Sequence, residues 1–330
     1  MIPFDLPRRR LCLPEAPHRS IVLFTQRDLR HRRFALRLQQ EFGSRVIAWF
    51  EITPNAPTGE HLQTAKNAET GKWNRHIKKA GQIFAEARPV DVPRPQAGLR
   101  RVRKALTSRV SRFSLGLDAI RHAYTFSRKI RRVEHVLLAE EVAELEQYRV
   151  VEPQLVTDPF GKAFAEQIKD LSPYFLLSLG GPLVRRELLT MVRGVPINQH
   201  AGWAPTYKGN GTIYWALYHR DLAHLGATVH VTTADADAGP ILRRGYPYLQ
   251  PADSPESCFV RTVILGTELL IDVVHEAITT GELFAFDQQK EAGRTYLNRH
   301  CNAQLFRFLR RDFRSGWWNH ELSRIRDFWE

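Results

Sequence analysis

From about residue 151 to 250 the chain alternates between helix-forming segments and short runs of strand-forming residues. "GKAFAEQIKDLS" reads as a helix, "PYFLLSLGG" as a buried strand ending in glycines, and "PLVRRELLTMVRG" as a helix with Pro182 in its first turn. "VPINQH" follows as a strand, "TIYWALYHRDLAHLG" as a helix closed by Gly226, "ATVHVTT" as a strand, and "ADADAGPILRRGYPY" as a loop entering one more. This order predicts an α/β fold: a parallel or mostly parallel sheet covered by helices on both faces. Such sheets bind ligands beyond the carboxyl ends of their strands, where strand order reverses. Asn198, His200 and the loop after His230 are expected to meet there.

The N-terminal stretch supplies a further unit of the same kind. Ile21 to Phe24 is an apolar run, Phe34, Leu36 and Leu38 lie in a helix stopped by Gly43, and Val46 to Ile52 is a second run rich in strand formers. Residues 54–150 are more polar and helix-forming, broken at "RPVDVPRPQAG", and are expected to be a basic helical insertion. In it, "EHVLLAEEVAELEQ" spreads Val136, Leu137, Leu138, Val142 and Leu145 around a helical repeat. "DSPESCFVRTVILGTELLIDVVHEAITTG" predicts a long helix with Ser254 as N-cap, Pro255 in the first turn and Gly281 at the end. The expected division is thus a first strand-helix-strand unit at 1–53, the insertion at 54–150, a catalytic core at 151–285 and a C-terminal extension at 286–330. That extension is basic and aromatic, a composition suited to stacking on bases or sugars as well as to packing.

Charge indicates the kind of partner. The chain has 48 Lys+Arg against 35 Asp+Glu, a formal charge of +13, which points to an anionic substrate, nucleic acid or a membrane surface. Twelve of the basic residues, with one acid, fall between Arg94 and Arg132. The loop "TQRDLRHRR" lacks the G-x-G-x-x-G of a dinucleotide site, which disfavours a nicotinamide cofactor, while its arginines could hold a phosphate. Cys12, Cys258 and Cys301 have no metal-ligand spacing and are expected to be free thiols. No apolar run is long enough to cross a bilayer and the N-terminus does not read as a secretory signal, so a cytoplasmic location is expected.

The chemistry concentrates in "VPINQHAGWAPTYKG" and "ADADAGPIL". His200 can hydrogen-bond or protonate an oxygen, Asn198 can donate to developing negative charge, and Asp237 can orient or electrostatically support the histidine. An amine attacking an activated acyl carbon needs those functions. No G-x-S-x-G is present, and none is required when the nucleophile belongs to the substrate.

These segments resemble the 10-formyltetrahydrofolate-dependent formyltransferases, a family that includes glycinamide ribonucleotide, methionyl-tRNA and amino-sugar formyltransferases. The family pattern is Asn-x-His, then Pro-x-Tyr/Phe-Arg/Lys-Gly, a helix, a Gly-x-Thr-x-His strand, and an Asp-x-Gly. It is filled by Asn198, His200, Pro205, Tyr207, Lys208, Gly209, Gly226, Thr228, His230, Asp237 and Gly239. The resemblance covers 151–250 well, the first unit loosely, and 54–150 and the tail hardly at all. It implies a Rossmann-like formyltransferase fold and 10-formyltetrahydrofolate as co-substrate, with no metal. It also implies Asn198, His200 and Asp237 as catalytic residues. The pterin would lie against backbone of Leu179, Gly180, Gly181 and Leu183 and of Thr233, Ala234, Asp235, Ala236 and Asp237.

For the acceptor, "GTIYWAL" looks like the amino-sugar branch, whose substrate is a nucleotide-linked amino sugar. Arg27, Arg32, Arg33 and Lys208 are the expected acceptor-binding residues, the arginines through its diphosphate. The phosphate-binding glycine loop of the nucleotide-biosynthesis relatives is absent, and the residues after the long helix are too few and too helical for the barrel of methionyl-tRNA formyltransferases. A deformylase handing the formyl group to water would keep the same residues. A reading of another class is a nucleic-acid or membrane-surface binding protein on this scaffold, since Leu99, Val102, Leu106, Val110 and Phe113 recur at helical spacing within the basic segment.

Overall fold

A computed structural model of the chain describes residues 8–16, 18–52, 110–180, 184, 186–288, 293–297 and 300–329, with the side chains of 110–126 and 325–329 outside the description. Much of the basic segment from Arg94 lies outside these residues, as do Gly181 and Leu183.

The strands are β1 (Arg8–Cys12), β2 (Ile21–Thr25), β3 (Val46–Ile52), β4 (Pro153–Val156), β5 (Phe175–Leu179), β6 (Val195–His200), β7 (Tyr207–Gly209), β8 (Ala227–Val231), β9 (Ile241–Gly245), β10 (Glu282–Phe286) and β11 (Arg294–Tyr296). The helices are α1 (Leu29–Phe42), α2 (Val110–Leu145), α3 (Lys162–Leu171), α4 (Arg186–Leu189), α5 (Thr212–Tyr218), α6 (Pro255–Thr280), α7 (Ala303–Arg314) and α8 (Trp317–Trp329).

Nine strands form one sheet in the order β1-β10-β9-β8-β6-β5-β2-β3-β4. From β6 to β4 every neighbour is parallel; from β6 to β1 every neighbour is antiparallel. The chain builds outward from β2 to β3 and β4, then returns to lay β5 on β2's other side. That return makes β2 and β5 the point of reversal, with their carboxyl ends opening on a crevice.

Both β2 and β5 are buried along their whole length, as an apolar run in a doubly covered sheet must be. On one face α1, α2 and α6 pack through Phe34, Leu38, Leu138, Val142, Leu270 and Val274. On the other, α3 and α4 contribute Phe164, Ile168 and Leu188. The stretch expected as an insertion therefore ends inside the main core. Among the described residues of "PLVRRELLTMVRG", α4 is the helical part, and the helix expected from Thr212 to Gly226 stops at Tyr218, before Arg220 adopts φ +55.

The long α6 follows its sequence signals closely. Ser254 and Ser257 form a reciprocal capping box, Pro255 opens the helix and Gly281 closes it at φ +72. The tail forms a satellite core in which Leu305, Phe306, Leu309, Trp318 and Leu322 bury against α5. It also provides β11, which pairs in parallel with β7 apart from the main sheet. The three cysteines are free, and among the described residues no helix is long and apolar enough to cross a membrane.

Candidate active site

Asn198 and His200 face the same side because strand residues two apart do. Asn198 pairs across the antiparallel β6–β8 ladder with His230, so three polar side chains share one patch at the end of β6. Asp237 arrives from the loop joining β8 to β9, its backbone at φ +48 in the left-handed region. Its Oδ2 lies 3.3 Å from His200 Nδ1 and accepts from the Gly209 amide at 2.7 Å. Its Oδ1 lies 3.3 Å from His230 Nε2 and accepts from Asn198 Nδ2 at 3.4 Å.

The remaining hydrogen bonds orient each ring and amide. Ser178 donates to Asn198 Oδ1 at 2.9 Å, which turns the Asn198 amide NH2 toward Asp237 and His230. His200 Nε2 donates to the Tyr207 carbonyl at 3.0 Å, and His230 Nδ1 donates to the Val231 carbonyl at 2.9 Å. Asp237 is largely enclosed, its side chain 14% exposed. Burial alone would raise its pKa, but the charge of His200, the hydrogen bond and charge of His230 and the Gly209 amide outweigh it and hold the carboxyl well below the usual range. The group is therefore an anion at neutral pH, in a place where an isolated anion would be costly.

This cluster opens on a cavity of about 600 Å³ at the point of strand reversal. Leu179 and Gly180 from the end of β5, and Thr233, Asp235 and Ala236 from the β8–β9 loop, line it. Ala234 does not, and Gly181 and Leu183 lie outside the described residues. Gly180 has φ +68, and a Cβ there would come within 3.0 Å of His31 Nε2. Gln26, Arg30 and His31, just after β2, and Thr295, Tyr296 and Leu297 from the tail also line it. The His31 ring is neutral at physiological pH, since burial, and then the nearby Arg30 charge, push its pKa well down.

The expected acceptor-binding cations are not brought to this cavity. Arg32 pairs with Glu146, and Arg33 is buried between Glu141 and Glu268 at 2.7 and 3.0 Å. Arg27 reaches toward Glu51 at 3.5 Å, and Lys208 is buried in β7. The reason lies in the packing of α1: Arg30, Arg33 and Arg37 meet acids of α2 and α6, and Arg32 meets Glu146 just beyond α2. Arg30, not singled out from the sequence, lines the cavity, and it is paired with Glu134 and Asp28.

Sequence reasoning also missed Ser178 and Gln288. Ser178 reads as one more residue of an apolar strand, and its role follows only from β5 lying beside β6 in register, Ser178 opposite Asn198. Gln288 belongs to the tail, and its amide Nε2 donates to the Asp237 carbonyl at 3.0 Å.

Residues 127–274 match the family model described as formyl transferase, a span that includes Asn198, His200 and Asp237. The similarity to formyl transferases is located in this segment. Among curated proteins, the chain is similar to the methionyl-tRNA formyltransferase of Thermodesulfovibrio yellowstonii, 27% identical over 157 residues, which cover 44% of this chain and 50% of that one. The methionyl-tRNA formyltransferase of Myxococcus xanthus is 26% identical over 143 residues, 43% of this chain and 44% of that one. The chain thus spans about half the length of the curated relatives it matches. Among solved structures, a sugar N-formyltransferase from Shewanella aligns with TM-score 0.45 and 12% identity, over 86% of this chain and 78% of that one.

Proposed function

We propose that the protein transfers the formyl group of 10-formyltetrahydrofolate to a primary amine. The observation that carries this reading is the convergence of Asn198, His200 and a largely enclosed, ionised Asp237 on one cavity at the carboxyl ends of the central strands. The amine nitrogen attacks the formyl carbon, and a C–N bond forms as the carbonyl oxygen takes up negative charge. Asn198 Nδ2 donates to that oxygen. His200 exchanges the Tyr207 carbonyl for it as the charge develops, while Asp237 stabilises the imidazolium. The proton lost by the amine passes, through Asp237 or a water it orients, to N10 of the folate. The C–N10 bond then breaks, giving tetrahydrofolate and the N-formyl product.

The pterin is assigned to the backbone of Leu179 and Gly180 and of the 233–237 loop. The acceptor enters from the side of Gln26, Arg30 and His31. We assign it as a nucleotide-linked amino sugar, on the resemblance of "GTIYWAL" to that branch and on a cavity of about 600 Å³, a size that suits a small molecule. A second acceptor, the amine of methionyl-tRNA, is favoured by the names of the curated relatives.

The test is formyl release from 10-formyltetrahydrofolate, followed by absorbance, with nucleotide-linked amino sugars, with methionyl-tRNA, or with no acceptor. Turnover dependent on the sugar and abolished by His200→Ala supports the proposal. Turnover with the tRNA alone replaces the acceptor, release without acceptor makes the protein a deformylase, and no release under any condition overturns the reading.

A further inference from the structure

Asp237 is held from two sides, and only one of them involves its carboxylate. Its own carbonyl accepts from Gln288 Nε2 at 3.0 Å, and the Gly239 carbonyl accepts from the same nitrogen at 2.5 Å. One side-chain amide thus spends its donors on both ends of a short turn. The turn has little other freedom on that side: a Cβ at Gly239 would lie 1.8 Å from the Val231 carbonyl oxygen, and the Val231 amide donates to the Pro240 carbonyl at 2.9 Å.

Gln288 reaches the turn through strand register. Phe286, the last residue of β10, pairs with Ile241, the first of β9. Continuing that antiparallel register places 288 opposite 239. The backbone ladder stops at Phe286, and the Gln288 side chain takes up the carbonyls the ladder leaves.

We infer that Gln288 is a positioning residue: by clamping the carbonyls of Asp237 and Gly239 it fixes the left-handed backbone of Asp237 and so sets the carboxylate against His200 and His230. Without the amide, two carbonyls lose their donor and the turn relaxes. The carboxylate then drifts from the histidines that keep it ionised. A displacement of about 1 Å at such a site is enough to cost on the order of 100-fold in rate. The catalytic consequence rests on the formyl-transfer reading; the clamp does not.

The experiment compares the wild type with Gln288→Ala and with Gln288→Glu, which keeps the length and, when ionised, lacks the donors. One measurement needs no activity: titration of the Asp237 carboxyl by 13C NMR in aspartate-labelled protein. In both variants the carboxyl should titrate at higher pH than in the wild type. In the formyl-release assay kcat should fall by about 10- to 100-fold, with KM for the folate little changed, and the acid limb of the kcat profile should move to higher pH. An unmoved titration in folded variants overturns the inference, as does an unchanged kcat and pH profile. If the wild type itself releases no formyl group, the functional proposal fails and the titration alone decides the clamp.

Discussion

The Tyr207 carbonyl accepts from His200 Nε2 at 3.0 Å, and two residues further along the same strand the Gly209 amide donates to Asp237 at 2.7 Å. β7 therefore holds both members of the His200–Asp237 pair through its backbone. Its strand partner is β11, and Tyr207 is further tied by its hydroxyl, which donates to Asp221 at 3.0 Å. Through this small sheet the tail braces the strand that holds the proposed site.

Gly209 is where that arrangement is most vulnerable. It sits at φ +88, and a Cβ would meet the Tyr296 carbonyl oxygen at 2.1 Å. Gly209→Ala should part β7 from β11 and cost roughly 1–3 kcal/mol of stability. Urea unfolding would show the loss, and formyl release should fall with it.

Asp237→Asn should leave the fold intact and reduce turnover by about 100- to 10,000-fold, since it removes the charge that supports His200 while keeping the shape. Circular dichroism and folate binding would confirm the fold; near-normal turnover would sink the proposed mechanism.

The same carboxyl makes a pH prediction. Its folded pKa is depressed, so its contribution to stability is complete above the unfolded value of about 3.9 and is lost as pH falls toward the folded one. Below about pH 4 the wild type should lose stability more steeply than Asp237→Asn. Unfolding midpoints in urea, measured between neutral pH and the acid range, would reveal the two slopes; parallel slopes would contradict the ion-pair assignment.

Ser178 orients Asn198 by donating to its Oδ1 at 2.9 Å. Ser178→Ala frees the Asn198 amide to flip its acceptor toward the developing oxyanion. We expect kcat to drop on the order of 10-fold, with KM and thermal midpoint nearly unchanged, as for weakening a contact made in the transition state.

Arg33 separates acceptor binding from stability. It is buried between Glu141 of α2 and Glu268 of α6. Because both acids are partly exposed, Arg33→Ala should cost about 1–3 kcal/mol, less than breaking a fully buried pair. The KM for a nucleotide-linked sugar should stay as it is. A raised KM with unchanged stability would restore the phosphate-binding role suggested by the sequence.

What the sequence determined by itself is what local pattern encodes. Ile21–Phe24 and Phe175–Leu177 are apolar runs, as doubly covered strands have, and Ser254, Pro255 and Gly281 mark the limits of α6 with their own chemistry. The motif residues Asn198, His200 and Asp237 were legible because their types and spacing are sequence properties. Tertiary structure decided everything that depends on which elements become neighbours. Arg32 and Arg33 look available along the chain, but Glu146 just beyond α2 takes Arg32, and Glu141 of α2 and Glu268 of α6 take Arg33, once the helices pack. Ser178 and Gln288 carry no motif; each gains its role from strand register, one across β5–β6 and the other beyond β10–β9. Hydrogen bonds act only over the last 3 Å or so, and residues tens or hundreds of positions apart come that close only when the sheet is complete.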